Sequence, residues 1–389
     1  MRAVIDFPGR SGRCRHAFDE PREVVLAQHV DEVAGVIAQA AQCAREGAWV
    51  LGFVSYEAAP AFDAAMRAHA PLRAMPLACF AVYDQPAAGA PAPGEASAPY
   101  TVGPTWTPMF DATHAMACMV RIRDAIARGA VYQVNLTSRL RAPFAGDALA
   151  YFHDLRRAQP DGYGLFLDAR TWQVLSVSPE LFFDWAGDGT LTTRPMKGTA
   201  PRHDDPASDA AAARAMCESA KERAENLMIV DLLRNDLSRV ARPGSVQVPA
   251  LFEAEALPTA WQMTSTVQCR TRDPMGLADI FSALFPCGSV TGAPKIAAMA
   301  SIHELEGVAR GVYCGALGLI RPGGHATFSV GIRTLAIDPR AGTAECGVGS
   351  GITWDSRPVD EWAEWAVKQR FLARAALLAR CGPPALTRP

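Results

Sequence analysis

Residues 180–196, "ELFFDWAGDGTLTTRPM", contain two strand-like runs joined by Gly187-Asp188-Gly189. A turn that short can only join antiparallel neighbours, whereas a parallel pair needs a crossover of a dozen residues or more. Other strand-like runs, "WVLGFVSYE", "AVYQVNLTSRL", "GYGLFLDA" and "WQVLSVSP", occur among helical patterns without strict alternation. Further strands are expected over 313–321, 325–335 and 343–349, with helices over about 207–239 and 358–380. The pattern predicts an α+β chain in which antiparallel sheet is backed by helices. Four segments are expected: an N-terminal α/β part at 1–84 packed on the core and a Pro/Ala/Gly-rich loop at 85–104. A catalytic core at 105–380 and a frayed tail at 381–389 complete the chain.

Several classes of function are disfavoured by composition. Lys plus Arg (38) nearly balances Asp plus Glu (40), with no basic stripe, so nucleic acid is not an expected partner. No apolar run approaches the length of a membrane span, and "MRAVIDFPGR" has no signal-peptide core. None of the ten cysteines forms a C-x-x-C pair, which suits free thiols in a cytoplasmic protein.

Chemistry concentrates in a few places. "TRPMKGTAPR" holds Lys197 between Pro195, which fixes the chain, and Gly198-Thr199, which lets another atom approach the backbone. "ESAKERAENLMIVDLLRND" sets Glu222 and Glu225 on one helical face, and "DEWAEWAVKQ" repeats the spacing with Glu361 and Glu364, then Lys368 one turn on. One E-x-x-E pair is usually a solvated face. Two pairs beside apolar helix walls suit a hard cation such as Mg²⁺, which takes one or two carboxylates directly and keeps waters.

Two glycine loops, "CGVGSGITWDS" around Gly347, Gly349, Ser350 and Gly351, and "PCGSVTGAPK" before a Pro294-started helix, could turn backbone N–H groups toward an anion. Neither has the spacing of a nucleotide-binding loop. With Arg333 of "VGIRT", these features describe a pocket for a small dicarboxylate handled with Mg²⁺.

The ordered set "YQVNLT", "SPELFF", "TRPMKGTAPR", "ERAENLMIVDLLRND", "GSVTGAPK", "GVYCGALG", "VGIRT", "GVGSGITWDS" and "DEWAEWAVK" resembles the chorismate-utilising enzymes over about residues 115–375. It is most similar to the members that form aminodeoxychorismate. The resemblance implies two antiparallel sheets sandwiched together with helices outside. It implies Glu225 and Glu364 as Mg²⁺ ligands, with Glu222 and Glu361 water-bridged to the ion. Chorismate carboxylates would meet Arg333, Tyr313, Lys368 and the backbone of Gly349, Ser350 and Gly351, with Gly198 and Thr199 beside the substrate. Glu180 would be the general acid that helps the C4 hydroxyl leave, and Lys197 the nucleophile at C2. That attack needs an uncharged amine, which desolvation beside Met196 and a neighbouring cation would favour.

Anthranilate synthases resemble the chain too but usually carry alanine at Lys197, and isochorismate synthases carry a water-activating lysine where this chain has Gln133. Asp279 falls where anthranilate-type members have a histidine. Cys314 does not sit on a glutaminase elbow and is expected in a core strand, so ammonia is expected from a separate glutamine amidotransferase subunit, the chain acting alone or as a heterodimer with it. The alternatives are anthranilate synthase component I and an inactive chorismate-binding regulatory subunit.

Overall fold

The computed structural model describes residues 1–9, 12–72, 75–88, 98–257 and 260–381. Part of the expected 85–104 loop and nearly all of the 381–389 tail lie outside the described residues. Two ten-stranded sheets form the centre, antiparallel at every paired strand.

The first sheet runs, in spatial order, Gly292–Ala293, Gln133–Gly146, Thr343–Ile352, Thr334–Asp338, Gln173–Ser178, Tyr163–Asp168, Arg2–Phe7 and Cys14–Phe18. The short strands Tyr100–Val102 and Thr107–Pro108 pair with Gln133–Gly146. The second runs Met196–Pro201, Ala260–Arg270, Thr190–Arg194, Leu181–Trp185, Ala326–Val330, Ala316–Ile320, Trp49–Val54, Ala78–Tyr83 and Glu23–Ala27, with Gln247–Ala256 also on Ala260–Arg270. The Gly187-Asp188-Gly189 turn joins Leu181–Trp185 to Thr190–Arg194, as the sequence predicts. The first 84 residues supply strands to both sheets.

The sheets pack face to face. Phe7, Leu165, Leu167 and Val174 of the first meet Leu51, Phe53, Leu317 and Leu319 of the second. On the other face of Trp49–Val54, Val50 and Val54 join the cluster that includes Val33, Ile37 and Ala40 of the helix Val33–Arg45. Burial on both faces explains why "WVLGFV" is continuously apolar rather than alternating. Phe53 is fully buried there, and truncating it to alanine would cost about 3–5 kcal/mol.

Two helices differ from their sequence reading. The expected 207–239 helix is Pro206–Glu218 followed by Ala220–Ser238. Ser219 breaks it: extended at ψ 119, it starts the second helix and accepts a hydrogen bond on its hydroxyl from Glu222 N–H at 3.3 Å. The closing helix is likewise Pro358–Lys368 and Arg370–Cys381, parted at Gln369. Cys314 is buried but stands in a turn at φ 62, ahead of the strand Ala316–Ile320 rather than within one. No helix among the described residues is long and apolar enough to cross a membrane.

Candidate active site

A cavity of about 540 Å³ opens where the ends of both sheets meet the helices Ala220–Ser238 and Pro358–Lys368, and every residue lining it falls between Asn135 and Phe371. Lys197, Gly198, Thr199, Glu180, Glu222, Glu225, Glu361, Glu364, Tyr313, Arg333, Gly349, Gly351 and Lys368 all line it. Of the residues named, those up to 188 positions apart in sequence, Glu180 to Lys368, thus face one space.

Lys197 projects from the strand Met196–Pro201, and its Nζ donates to the Ser289 carbonyl at 3.3 Å. Gly351 lies directly opposite: a Cβ there would come within 3.0 Å of Lys197 Nζ and 2.6 Å of Gln133 Nε2. Gly198, at φ +91, adopts backbone that L side chains rarely reach, and it lets Glu222 Oε2 pass close to the chain. A side chain at position 198 would crowd Glu222 Oε2 at 3.1 Å and Met263 Cβ at 3.2 Å.

Glu180 is 3% exposed, and its Oε1 has no hydrogen-bond partner among the described residues. Burial pushes its carboxyl up to about 7, against the Ser289 hydroxyl, the Lys197 charge and the Met196 N–H, which pull it down. The site therefore holds a carboxylic acid that keeps its proton near neutrality, as a general acid must.

The acidic quartet is divided by environment. Burial raises the pKa of Glu225, opposed by Lys197; burial raises that of Glu222, opposed by Lys221. For Glu364, burial is outweighed by Lys368, 2.7 Å away, and the carboxyl is held below its ordinary range. Glu361 is 5% exposed; its Oε1 accepts from Ser356 Oγ at 2.7 Å and its Oε2 has no partner among the described residues. An orphaned buried carboxylate oxygen beside three further carboxylates is a donor set that suits a hard divalent cation. As they stand, no three His, Cys, Asp or Glu side chains among the described residues are gathered closely enough to hold an ion.

Arg333 sits at φ 49 and donates to Gln159 Oε1, which aims its guanidinium. Burial in the site lowers its pKa to about 10, and the half-buried guanidinium lines the cavity where an anion could reach it. Lys368 bridges Glu364 to the Gly349 carbonyl, the latter at 2.9 Å. Ser350 turns away from the cavity, its Oγ accepting from Trp365 Nε1 at 3.0 Å, so its side chain fixes the helix Pro358–Lys368 to the strand.

One expectation needs correction. The "GSVTGAPK" loop does not aim a helix N-terminus at the cavity; it contributes Ser289 and Val290, while Lys295 pairs with Asp236 at 2.9 Å elsewhere. Asp279 is absent from the lining and bonds the Gly276 N–H at 2.8 Å, inside its own helix start. Among the lining residues not singled out in sequence is Gln262, whose Nε2 donates to Thr199 Oγ1 at 3.0 Å. Gln159, Ser289 and Lys221 were also not singled out. Only strand alternation along Ala260–Arg270 could have pointed to Gln262.

A family model described as chorismate binding enzyme matches residues 8–374. Aminodeoxychorismate synthase component 1 of Salmonella typhimurium is 43% identical over 236 residues, 61% of this chain and 51% of that protein. Anthranilate synthase component 1 of Streptomyces coelicolor is 37% identical over 271 residues, 69% of this chain and 52% of that protein. The chain spans about half the length of these relatives. Anthranilate synthase component I from Streptococcus pneumoniae superposes with a TM-score of 0.72 at 25% identity, covering 96% of this chain and 90% of that one.

Proposed function

This chain belongs to the chorismate binding enzymes, and we propose that it aminates chorismate to 4-amino-4-deoxychorismate, a precursor for 4-aminobenzoate and folate, in the cytoplasm. The observation that carries the reading is the pairing in one cavity of Lys197, set against Gly351, with a buried Glu180 that titrates near 7. Relatives named aminodeoxychorismate synthase component 1 support it, and their names favour a second component, here a glutamine amidotransferase that supplies ammonia.

Lys197 attacks C2 of chorismate through the lone pair of Nζ. Both conjugated ring double bonds shift, C1=C2 to C1=C6 and C5=C6 to C4=C5; the C4–O bond breaks, and Glu180 gives its proton to the departing hydroxyl, which leaves as water. Ammonia then bonds to C4, both double bonds shift back, and the C2–N bond breaks to free Lys197. The proton shed by the new amine restores Glu180. Arg333, held by Gln159, and Lys368 bind carboxylate, while Tyr313 and the Gly349–Gly351 backbone close the wall.

Glu225 and Glu364 would hold Mg²⁺, with Glu222 and Glu361 through water, and the ion when bound would neutralise the substrate's C1 carboxylate. Gln133 cannot serve as a base, so water addition at C2 is disfavoured.

The test is to incubate the chain with chorismate, Mg²⁺ and ammonium at mildly alkaline pH and resolve the products by chromatography with mass detection. A 4-amino-4-deoxychorismate peak is expected, absent for Lys197→Ala. Anthranilate, seen by its fluorescence, would favour the second reading, anthranilate synthase component I, for which relatives such as that of Streptomyces coelicolor speak.

A further inference from the structure

Each of the two carboxylates assigned to the metal has a lysine one helical turn away. Lys221 precedes Glu225, with Nζ 3.8 Å from Oε1, and Lys368 follows Glu364 at 2.7 Å. The two lysines are held differently. Lys368 is fixed at both ends, by Glu364 and by the Gly349 carbonyl. The one ionic neighbour of Lys221 within 4 Å among the described residues is Glu225, and its side chain is 44% exposed.

The field at Lys221 comes from the whole quartet. Glu225 is its contact partner, and Glu222, Glu361 and Glu364 line the same cavity as its ammonium. Lys221 also lines the cavity itself. It is therefore placed where a small cation among these four carboxylates would also be drawn, on a long stem that can carry the ammonium into water at little cost.

We infer that Lys221 is a resident counter-ion of the acidic quartet, and that a divalent cation entering the quartet competes with it. This rests on the metal assignment proposed above. Two charges of like sign cannot share the site without strong repulsion. Lys221 must swing outward as the ion enters, and the ion's affinity is reduced by the attraction it replaces. Glu225, the carboxylate nearest Lys221, is released by that exchange.

Isothermal titration calorimetry of MgCl₂ into the full chain, without chorismate, tests this in the parent and in Lys221→Met, Lys221→Gln, Lys221→Arg and Glu225→Gln. Removing the lysine charge is expected to tighten Mg²⁺ binding about three- to tenfold, the effect of losing a partly exposed competitor. Lys221→Arg keeps the charge and should bind Mg²⁺ as the parent does. Thermal melts should show Lys221→Met less stable than the parent without metal and closing the gap with Mg²⁺. A lysine that merely supported the helix would give the opposite sign in calorimetry, weaker binding in both neutral variants. Weaker or unchanged Mg²⁺ binding in Lys221→Met and Lys221→Gln, while Glu225→Gln loses it, overturns the counter-ion and leaves the metal assignment standing. Absence of Mg²⁺ binding in the parent overturns both.

Discussion

Glu57 and Glu180 are buried alike, at 3% exposure each, and burial pushes both carboxyls up to about 7. Their partners separate them. Glu57 accepts the backbone N–H of Arg310 at 2.6 Å and of Gly311 at 2.8 Å, one on each oxygen, and so ties the N-terminal segment to a turn 253 residues on. Glu180 leaves Oε1 without a partner among the described residues and lines a cavity together with Lys197. A raised carboxyl with satisfied oxygens is structural; one with an orphaned oxygen in a cavity is equipped to act on something else.

The largest effect expected from this contrast belongs to Lys197. Lys197→Ala should lower amination by about a thousandfold or more, as losing a nucleophile does, with the melting temperature unchanged. Steady-state kinetics and a thermal melt measure the two.

Glu180→Gln should lower kcat by about 10²–10⁴. It should also change stability in a pH-dependent way. The Glu180 carboxyl titrates from its ordinary 4.5 when unfolded to about 7 when folded. Its proton-linked stabilisation is full below 4.5 and is lost as pH rises through 7. Melts of Glu180→Gln and the parent should therefore agree more closely at pH 5 and diverge by pH 8, where the variant gains.

Gly351→Ala would place a Cβ 3.0 Å from Lys197 Nζ, and a displaced nucleophile should reduce kcat about tenfold or more, read from the same kinetics. The smallest kinetic effect is at Glu57. Glu57→Gln strands one of two backbone donors, which should cost about 1–3 kcal/mol in a denaturant titration while kcat and KM stay near the parent values. A Glu57→Gln enzyme that is stable but inactive would erase the distinction.

The sequence made some of this legible and concealed the rest for physical reasons. The hairpin at Gly187-Asp188-Gly189 and the apolar run of Trp49–Val54 are local signals, and both carry through to the sheets. Helical spacing put Glu222 with Glu225 and Glu361 with Glu364. The break at Ser219 was hidden because a serine cap interrupts a pattern that stays helical on both sides. Arg333 was visible in "VGIRT", but the Gln159 that aims it lies 174 residues away, a pairing no periodicity encodes. Asp279, which falls where anthranilate-type relatives have a histidine, has its carboxylate taken up by the Gly276 N–H, a local contact that the sequence comparison does not encode.

The central claim is that Lys197 forms a covalent bond during turnover. Incubating the chain with chorismate and Mg²⁺ but no ammonium, quenching in acid and measuring the intact and digested mass tests it most directly. The account predicts a peptide containing Lys197 heavier by chorismate less one water, lost when ammonium is added as aminated product appears. An unmodified Lys197 peptide throughout, in a protein whose Lys197→Ala variant aminates chorismate at the parent rate, would contradict it.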